Sequence, residues 1–88
     1  MKTRFPILFE NEHAVVIDKP VGIIVHPDEK QDEYTITNWM METYNVKGVG
    51  DVGREGIVHR LDRNTTGVLV LAKDAIAFSL FKKQFRDH

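Results

Sequence analysis

Two short runs constrain this chain more than anything else in it: His13 to Lys19 (HAVVIDK) and Gly67 to Lys73 (GVLVLAK). The first is β-branched at its centre, and the second is apolar on both of the faces a strand would present. Strands of this kind sit where both sides of a sheet are covered. That places the second run in the centre of a sheet and makes the first largely buried. Covering them is the difficulty. A chain of 88 residues buries only ~60% of its unfolded surface, and two helices on a small sheet give little more than one covered face. The expectation is a fragment of a larger domain or a chain that pairs with another.

Composition narrows the class. Apolar residues make up 42% and charged residues 28%, a balance that argues against intrinsic disorder. No cysteine is present, which removes disulfides, thiolate zinc sites and cysteine nucleophiles together. A secreted domain this small would need staples, so a reducing, cytoplasmic setting is expected. The longest apolar runs, Ala14-Val15-Val16-Ile17 and Val68-Leu69-Val70-Leu71-Ala72, are far too short to span a bilayer. No signal-peptide pattern opens the chain, and no membrane partner is expected. Charge is uneven: residues 1–53 carry five Lys/Arg against nine Asp/Glu, and residues 54–88 carry seven against four. A polyanion would meet the second half, through Arg54, Arg60, Arg63, Lys73, Lys82, Lys83 and Arg86. Ordinary surface charge explains the same numbers, so charge alone identifies no partner.

Local signals order the elements. Ile7-Leu8-Phe9 reads as a strand joined by the polar turn Glu10-Asn11-Glu12 to the strand at 13–19. Pro20-Val21-Gly22 ends it, and Ile23-Ile24-Val25 is a short extension stopped by Pro27. Residues 28–33 read as an acidic, solvent-facing stretch. Thr35 or Thr37 caps a helix reaching Tyr44, with Ile36, Met40 and Tyr44 on one face and Trp39 and Thr43 beside them. Residues 46–56 hold four glycines and form a loop. After the strand at 67–73, Asp74 caps a closing helix whose buried stripe is Ile76, Ala77, Leu80, Phe81 and Phe85. Lys82, Lys83 and Arg86 lie in its last turns, where the helix dipole favours positive charge. The fold class is α+β: a mixed, mainly antiparallel sheet with helices packed on it.

Three motif matches fail on context. Gly48-Val49-Gly50-Asp51-Val52-Gly53 fits G-x-G-x-x-G by letter, but a helix precedes it and none follows, the reverse of a dinucleotide site. His59-Arg60-Leu61-Asp62 inverts the last two letters of the kinase H-R-D-L loop, and the expected asparagine five residues on is Gly67. The four histidines, His13, His26, His59 and His88, lack the i, i+4 spacing of a helical metal site. They read as hydrogen-bonding loop or strand-end residues, and no metal is expected.

The stretch from Arg54 to Gly67 remains. Ile57-Val58 delivers a polar loop to a sheet edge, with Leu61 as its apolar anchor. Asp62 lies within two residues of Arg60 and Arg63, which would hold it ionised. A charged carboxylate on a rigid loop can serve as nucleophile or general base, and arginines can engage phosphates or stack on bases. Spacing leaves a second reading open: an Asp-capped turn with surface ion pairs, and Thr65-Thr66-Gly67 as strand entry.

Resemblance separates the two. GIVHRLDRNTTGVLVLAK resembles the signature loop of the RluA-type pseudouridine synthases, which isomerise uridine in structured RNA. Upstream, Asp18-Lys19-Pro20-Val21-Gly22-Ile23-Ile24-Val25-His26-Pro27 is similar to the family's D-K-P-x-G-x-x-x-H-P segment. The likeness runs from about Leu8 to Phe85. It implies that Asp62 is the catalytic aspartate and that Arg60 fills the space left by the flipped uridine. Arg63 joins Arg60 on the RNA side, and His59, Leu61, Thr65, Thr66 and Gly67 support the loop. His26 and His59 are given orienting roles at most. No cofactor is implied, because the isomerisation is redox-neutral. The partner implied is structured ribosomal or transfer RNA. Thr66 stands where the family usually has serine, which keeps a hydroxyl.

The larger departure is length. Catalytic domains of that family are about twice this size, and their remainder supplies a tyrosine and a basic residue that pairs with the aspartate. Tyr34 and Tyr44 precede the loop and match neither. The resemblance therefore implies residues 1–88 are the N-terminal portion of a catalytic domain, without a separate RNA-binding domain before it. An isolated piece is expected to be inactive and to self-associate or await the missing half of the sheet. The alternative is a non-catalytic RNA-binding or structural remnant of that fold.

Overall fold

The computed structural model describes residues 5–25, 34–50, 55–59, 61 and 63–86. Its elements in chain order are β1 (Ile7–Glu10), β2 (Ala14–Lys19), α1 (Ile36–Thr43), β3 (Gly67–Ala72) and α2 (Ala75–Arg86). The three strands form one antiparallel sheet in the order β1-β2-β3, so the α+β expectation holds. The acidic stretch at 28–33 lies outside the described residues.

The first hairpin turns on Asn11. Its side-chain oxygen accepts from the backbone N–H of His13 at 2.8 Å and of Ala14 at 2.9 Å, the local bonding that makes asparagine a turn former. β2 then pairs with β3 from Ala14 opposite Ala72 to Lys19 opposite Gly67. The central strand is thus β2, and β3 lies at the edge among the described strands, contrary to its expected central place. Apolarity on both faces reports two covered faces, not two strand neighbours. Leu69 and Leu71 of β3 are fully buried on one face, and Ala72 is fully buried on the other. Among the described residues the outer edge meets a short segment, through the bridge from Ile57 to Leu71.

Alternation along β2 and β3 sends Val15, Ile17, Leu69 and Leu71 into the main core, where they meet Ile36, Trp39 and Met40 of α1. Phe5 stands edge-on to Trp39 at 5.3 Å between ring centres. Of the two candidate caps, Thr35 starts α1: its hydroxyl accepts from the Asn38 N–H at 3.2 Å, and Asn38 Oδ1 accepts from the Thr35 N–H at 2.9 Å. Thr37 is instead buried, donating its hydroxyl to the Val25 carbonyl at 3.2 Å. The extension at 23–25 is not a sheet strand. Ile24 bridges Thr35, and the Ile24 and Val25 carbonyls accept from the Ile36 and Thr37 N–H groups. Those are donors that a helix start leaves open.

Asp74 caps α2 as expected, accepting from the Ala77 N–H at 2.8 Å. The helix is rotated from the expected stripe, however. Ala77 is buried against Val58 and Ala72, with Phe78 and Phe81 packed beside it. Ile76 is 73% exposed, Leu80 57% and Phe85 42%. Positions 76/80 and 77/81 form two adjacent rows on a helix, and only the second faces the sheet. Leu8, Phe9 and Val68 are also more than half exposed, so among the described residues the second face of the sheet, to which Phe9 and Val68 belong, is only partly covered.

Candidate active site

Two segments far apart in sequence are tied together at one end of the sheet. The tie is Lys19, the last residue of β2. Its register continues Val15 and Ile17 toward the core, and it is fully buried. A buried ammonium is costly unless its donors are met. Here Nζ donates to the Pro20 carbonyl at 3.1 Å, the Arg63 carbonyl at 3.1 Å and the Thr65 carbonyl at 2.9 Å. The Arg63 carbonyl accepts a second bond, from the Gly22 N–H at 2.8 Å. Gly22 holds φ at +90°, a conformation that glycine adopts without steric cost. The D-K-P-x-G segment and the loop around residue 62 are thereby one unit.

Asp62 and Arg60 lie outside the described residues, as does His26; the residues on either side of Asp62 and Arg60 that are described are His59, Leu61 and Arg63. Leu61 is half-buried and packs on the main core, as an apolar anchor should. Arg63 is half-buried, with its carbonyl held as described. Asn64, Thr65 and Thr66 are exposed, and Gly67 opens β3.

On the approach side, Gly56 (φ +81°) sits so close to β3 that a Cβ would lie 2.6 Å from the Ala72 carbonyl oxygen. Only glycine permits that approach, through which the Gly56 carbonyl accepts from the Ala72 N–H at 2.9 Å. His59 is half-buried. Its Nε2 accepts from the Val70 N–H at 3.0 Å, and its ring stacks on Phe85 at 4.1 Å. Burial holds its pKa below the ordinary histidine value.

The tyrosines are engaged elsewhere. Tyr34 donates to Glu42 at 2.8 Å. Tyr44 lies under the Lys73 ammonium, 4.4 Å from its ring centre, and hydrogen-bonds Glu10. Burial, then that carboxylate, pushes its pKa up to about 12. Lys73 in turn donates to Glu10 at 2.8 Å. Among the described residues no group of three or more His, Asp or Glu could hold a metal, and no helix is long and apolar enough to cross a membrane.

Lys19 is the site residue that sequence reading missed. Its signal was present: a lysine at an inward-facing position of a buried strand has to find polar partners.

Comparison with known proteins places the chain. The profile of a family described as RNA pseudouridylate synthase matches residues 13–88. The chain is 42% identical over 84 residues to ribosomal large subunit pseudouridine synthase D of Zymomonas mobilis, covering 93% of this chain and 26% of that protein. It is 48% identical over 67 residues to the Pseudomonas aeruginosa protein of the same name, covering 76% of this chain and 20% of that one. Among solved structures, human RNA pseudouridylate synthase domain containing 4 superposes with a TM-score of 0.71 at 32% identity, covering 93% of this chain and 30% of its own. The chain belongs to the RNA pseudouridylate synthase family. It spans about a quarter of the length of the curated relatives it matches.

Proposed function

We propose that the protein carrying this chain isomerises uridine to pseudouridine in structured RNA, with Asp62 as the nucleophile. Residues 1–88 are read as the N-terminal portion of its catalytic domain. The observation that carries this reading is the loop HRLDRNTTG between two anchors: Leu61 packs into the core just before Asp62, and the Arg63 carbonyl is bonded just after it. A nucleophile must be held in place to gain from proximity.

In this reading the Asp62 carboxylate attacks uracil C6 or ribose C1′. The C1′–N1 bond breaks, the base turns, and a C1′–C5 bond forms. C5 then gives its proton to solvent, N1 gains one, and the carboxylate leaves unchanged. No cofactor is needed, since nothing is oxidised or reduced. Arg60 takes the space of the flipped base, and Arg63 meets RNA beside it. His59, Leu61, Thr65, Thr66 and Gly67 shape the loop.

The names of the relatives make ribosomal RNA the first substrate to try, with transfer RNA second, and the cytoplasm the expected place. The exposed apolar side chains of β1, β3 and α2 support completion of the sheet by further chain or by a second copy. Asp62→Asn in the full-length protein tests the nucleophile: tritium release from [5-³H]uridine RNA should fall to background. Near-normal turnover would remove the assignment.

A further inference from the structure

Two of the N–H groups that β3 turns toward its outer edge, those of Ala72 and Val70, have different kinds of partner. Ala72 donates to the backbone carbonyl of Gly56, and Ile57 bridges Leu71, as a fourth antiparallel strand would begin. Continued in register, that strand would place Val58 opposite Val70 and give its carbonyl to the Val70 N–H. The chain does not continue so. The His59 imidazole takes the Val70 N–H instead, at 3.0 Å.

That substitution has three consequences. Nε2 can accept only if it carries no proton, so the ring is neutral and protonated at Nδ1. The backbone is released from the ladder at residue 58 while still fastened to it through a side chain. And the ring lies against Phe85 in the last turn of α2, 4.1 Å between centres and 17° from parallel, so strand edge and helix together fix its plane.

We propose that His59 is a positioning residue: its neutral imidazole fastens the chain immediately before Arg60 and Asp62 to the edge of β3, as Lys19 fastens the chain immediately after. This rests on the reading of Asp62 as nucleophile. In this proposal His59 acts through the backbone it fastens and takes no part in making or breaking bonds.

The test uses the full-length protein and two substitutions. His59→Phe keeps the ring stack and removes the acceptor. His59→Gln places an amide oxygen near the position of Nε2. If the acceptor matters, His59→Phe lowers kcat on the order of 10–100-fold, the size of effect that a misplacement of about 1 Å produces. KM for RNA stays within a few-fold, and His59→Gln recovers most of the loss. Amide exchange at Val70 should be slow in the wild type and in His59→Gln, and fast in His59→Phe. ¹⁵N spectra of the imidazole should show the neutral ring protonated at Nδ1.

A ring protonated at Nε2 overturns the proposal, as does a Phe variant with wild-type kcat, or a Gln variant no better than Phe. Should the Phe variant not fold, the tautomer and the Gln variant decide. Amide exchange and the tautomer do not depend on chemistry, so they stand or fall apart from Asp62: an active Asp62→Asn enzyme removes the nucleophile and leaves the fastening to be judged on these signals.

Discussion

The two helices received opposite treatment from the same sheet. α1 has eight residues and buries four of them, Ile36, Thr37, Trp39 and Met40. α2 has twelve, with a longer apolar stripe, and buries only Ala77. Helix propensity and apolar content do not account for the contrast. α1 lies over the face formed by Val15, Ile17, Leu69 and Leu71, where partners surround it. α2 packs Ala77 on Val58 and Ala72 and touches the rest through Phe78 and Phe85, so a second row, Ile76 and Leu80, is left without cover among the described residues. A stripe read from sequence says how much a helix can bury; what lies opposite decides how much it does.

The comparison can be broken by truncation. Met40→Ala should cost about 2–5 kcal/mol, the usual range for emptying a closed core position. Leu80→Ala should stay within ~0.5 kcal/mol in the 88-residue chain, as exposed substitutions do. Equal costs by urea denaturation would erase the distinction between the helices. The same pair sharpens the proposed completion of the domain: in the full-length protein Leu80→Ala should rise toward about 2 kcal/mol. If it stays near zero there, the row at 76 and 80 faces water in the complete protein too.

A second contrast lies within the site, between anchors that sequence reveals and anchors that it hides. Leu61 is legible as an apolar residue alone among charges. Lys19 is legible only as a lysine in need of polar partners; the carbonyls of residues 20, 63 and 65 that it meets are brought to it once the loop folds back on β2. Lys19→Met keeps the aliphatic bulk and leaves those carbonyls unmet. The expected loss is about 2–3 kcal/mol, since hydrogen bonds to a charged group are worth ~1.5–3 kcal/mol each and are not additive. Lys19→Arg should not rescue it, because a planar guanidinium does not fit a converging trio of carbonyls. Thermal unfolding of both variants checks this, and full stability in Lys19→Met would show that the tie is dispensable.

Locality explains which other expectations succeeded. The polar turn at 10–12, the Asp74 cap, the helix start at Thr35 or Thr37 and the strand at 67–73 are each specified within seven residues or fewer, and each is legible. The edge position of β3 and the rotation of α2 depend on contacts from 40 or more residues away in places, such as Ala14 with Ala72. Period-2 and period-3.6 patterns carry no such information. The site divides in the same way. The loop HRLDRNTTG is recognisable in sequence by its resemblance, while the fastening of its two sides by Lys19 and His59 arises only from tertiary contacts.

The smallest predicted effect concerns the two ends of the hairpin-to-helix contact, where His13 Nδ1 lies 2.5 Å from Asp74 Oδ2. Both groups are exposed, so the effect is modest and screened by salt. The Asp74 hydrogen bond is the main reason that the His13 pKa is raised above 6.5, and desolvation opposes it. The Asp74 pKa is lowered below 3.8, first by the Ala77 N–H that it caps and then by His13. A raised histidine stabilises the fold fully below its unfolded pKa, and that share is lost as pH rises through the folded value. A lowered aspartate stabilises above its unfolded pKa, and that share is lost as pH falls through its folded value. Their contributions therefore coincide between about pH 4 and pH 6.5. Raising the pH from 6 to 8 should lower Tm slightly in the wild type and less in His13→Gln, whereas Asp74→Asn should both flatten this slope and weaken the α2 cap. An unchanged slope in both variants would show that the close contact carries no linkage, and that Asp74 acts on α2 through Ala77 alone.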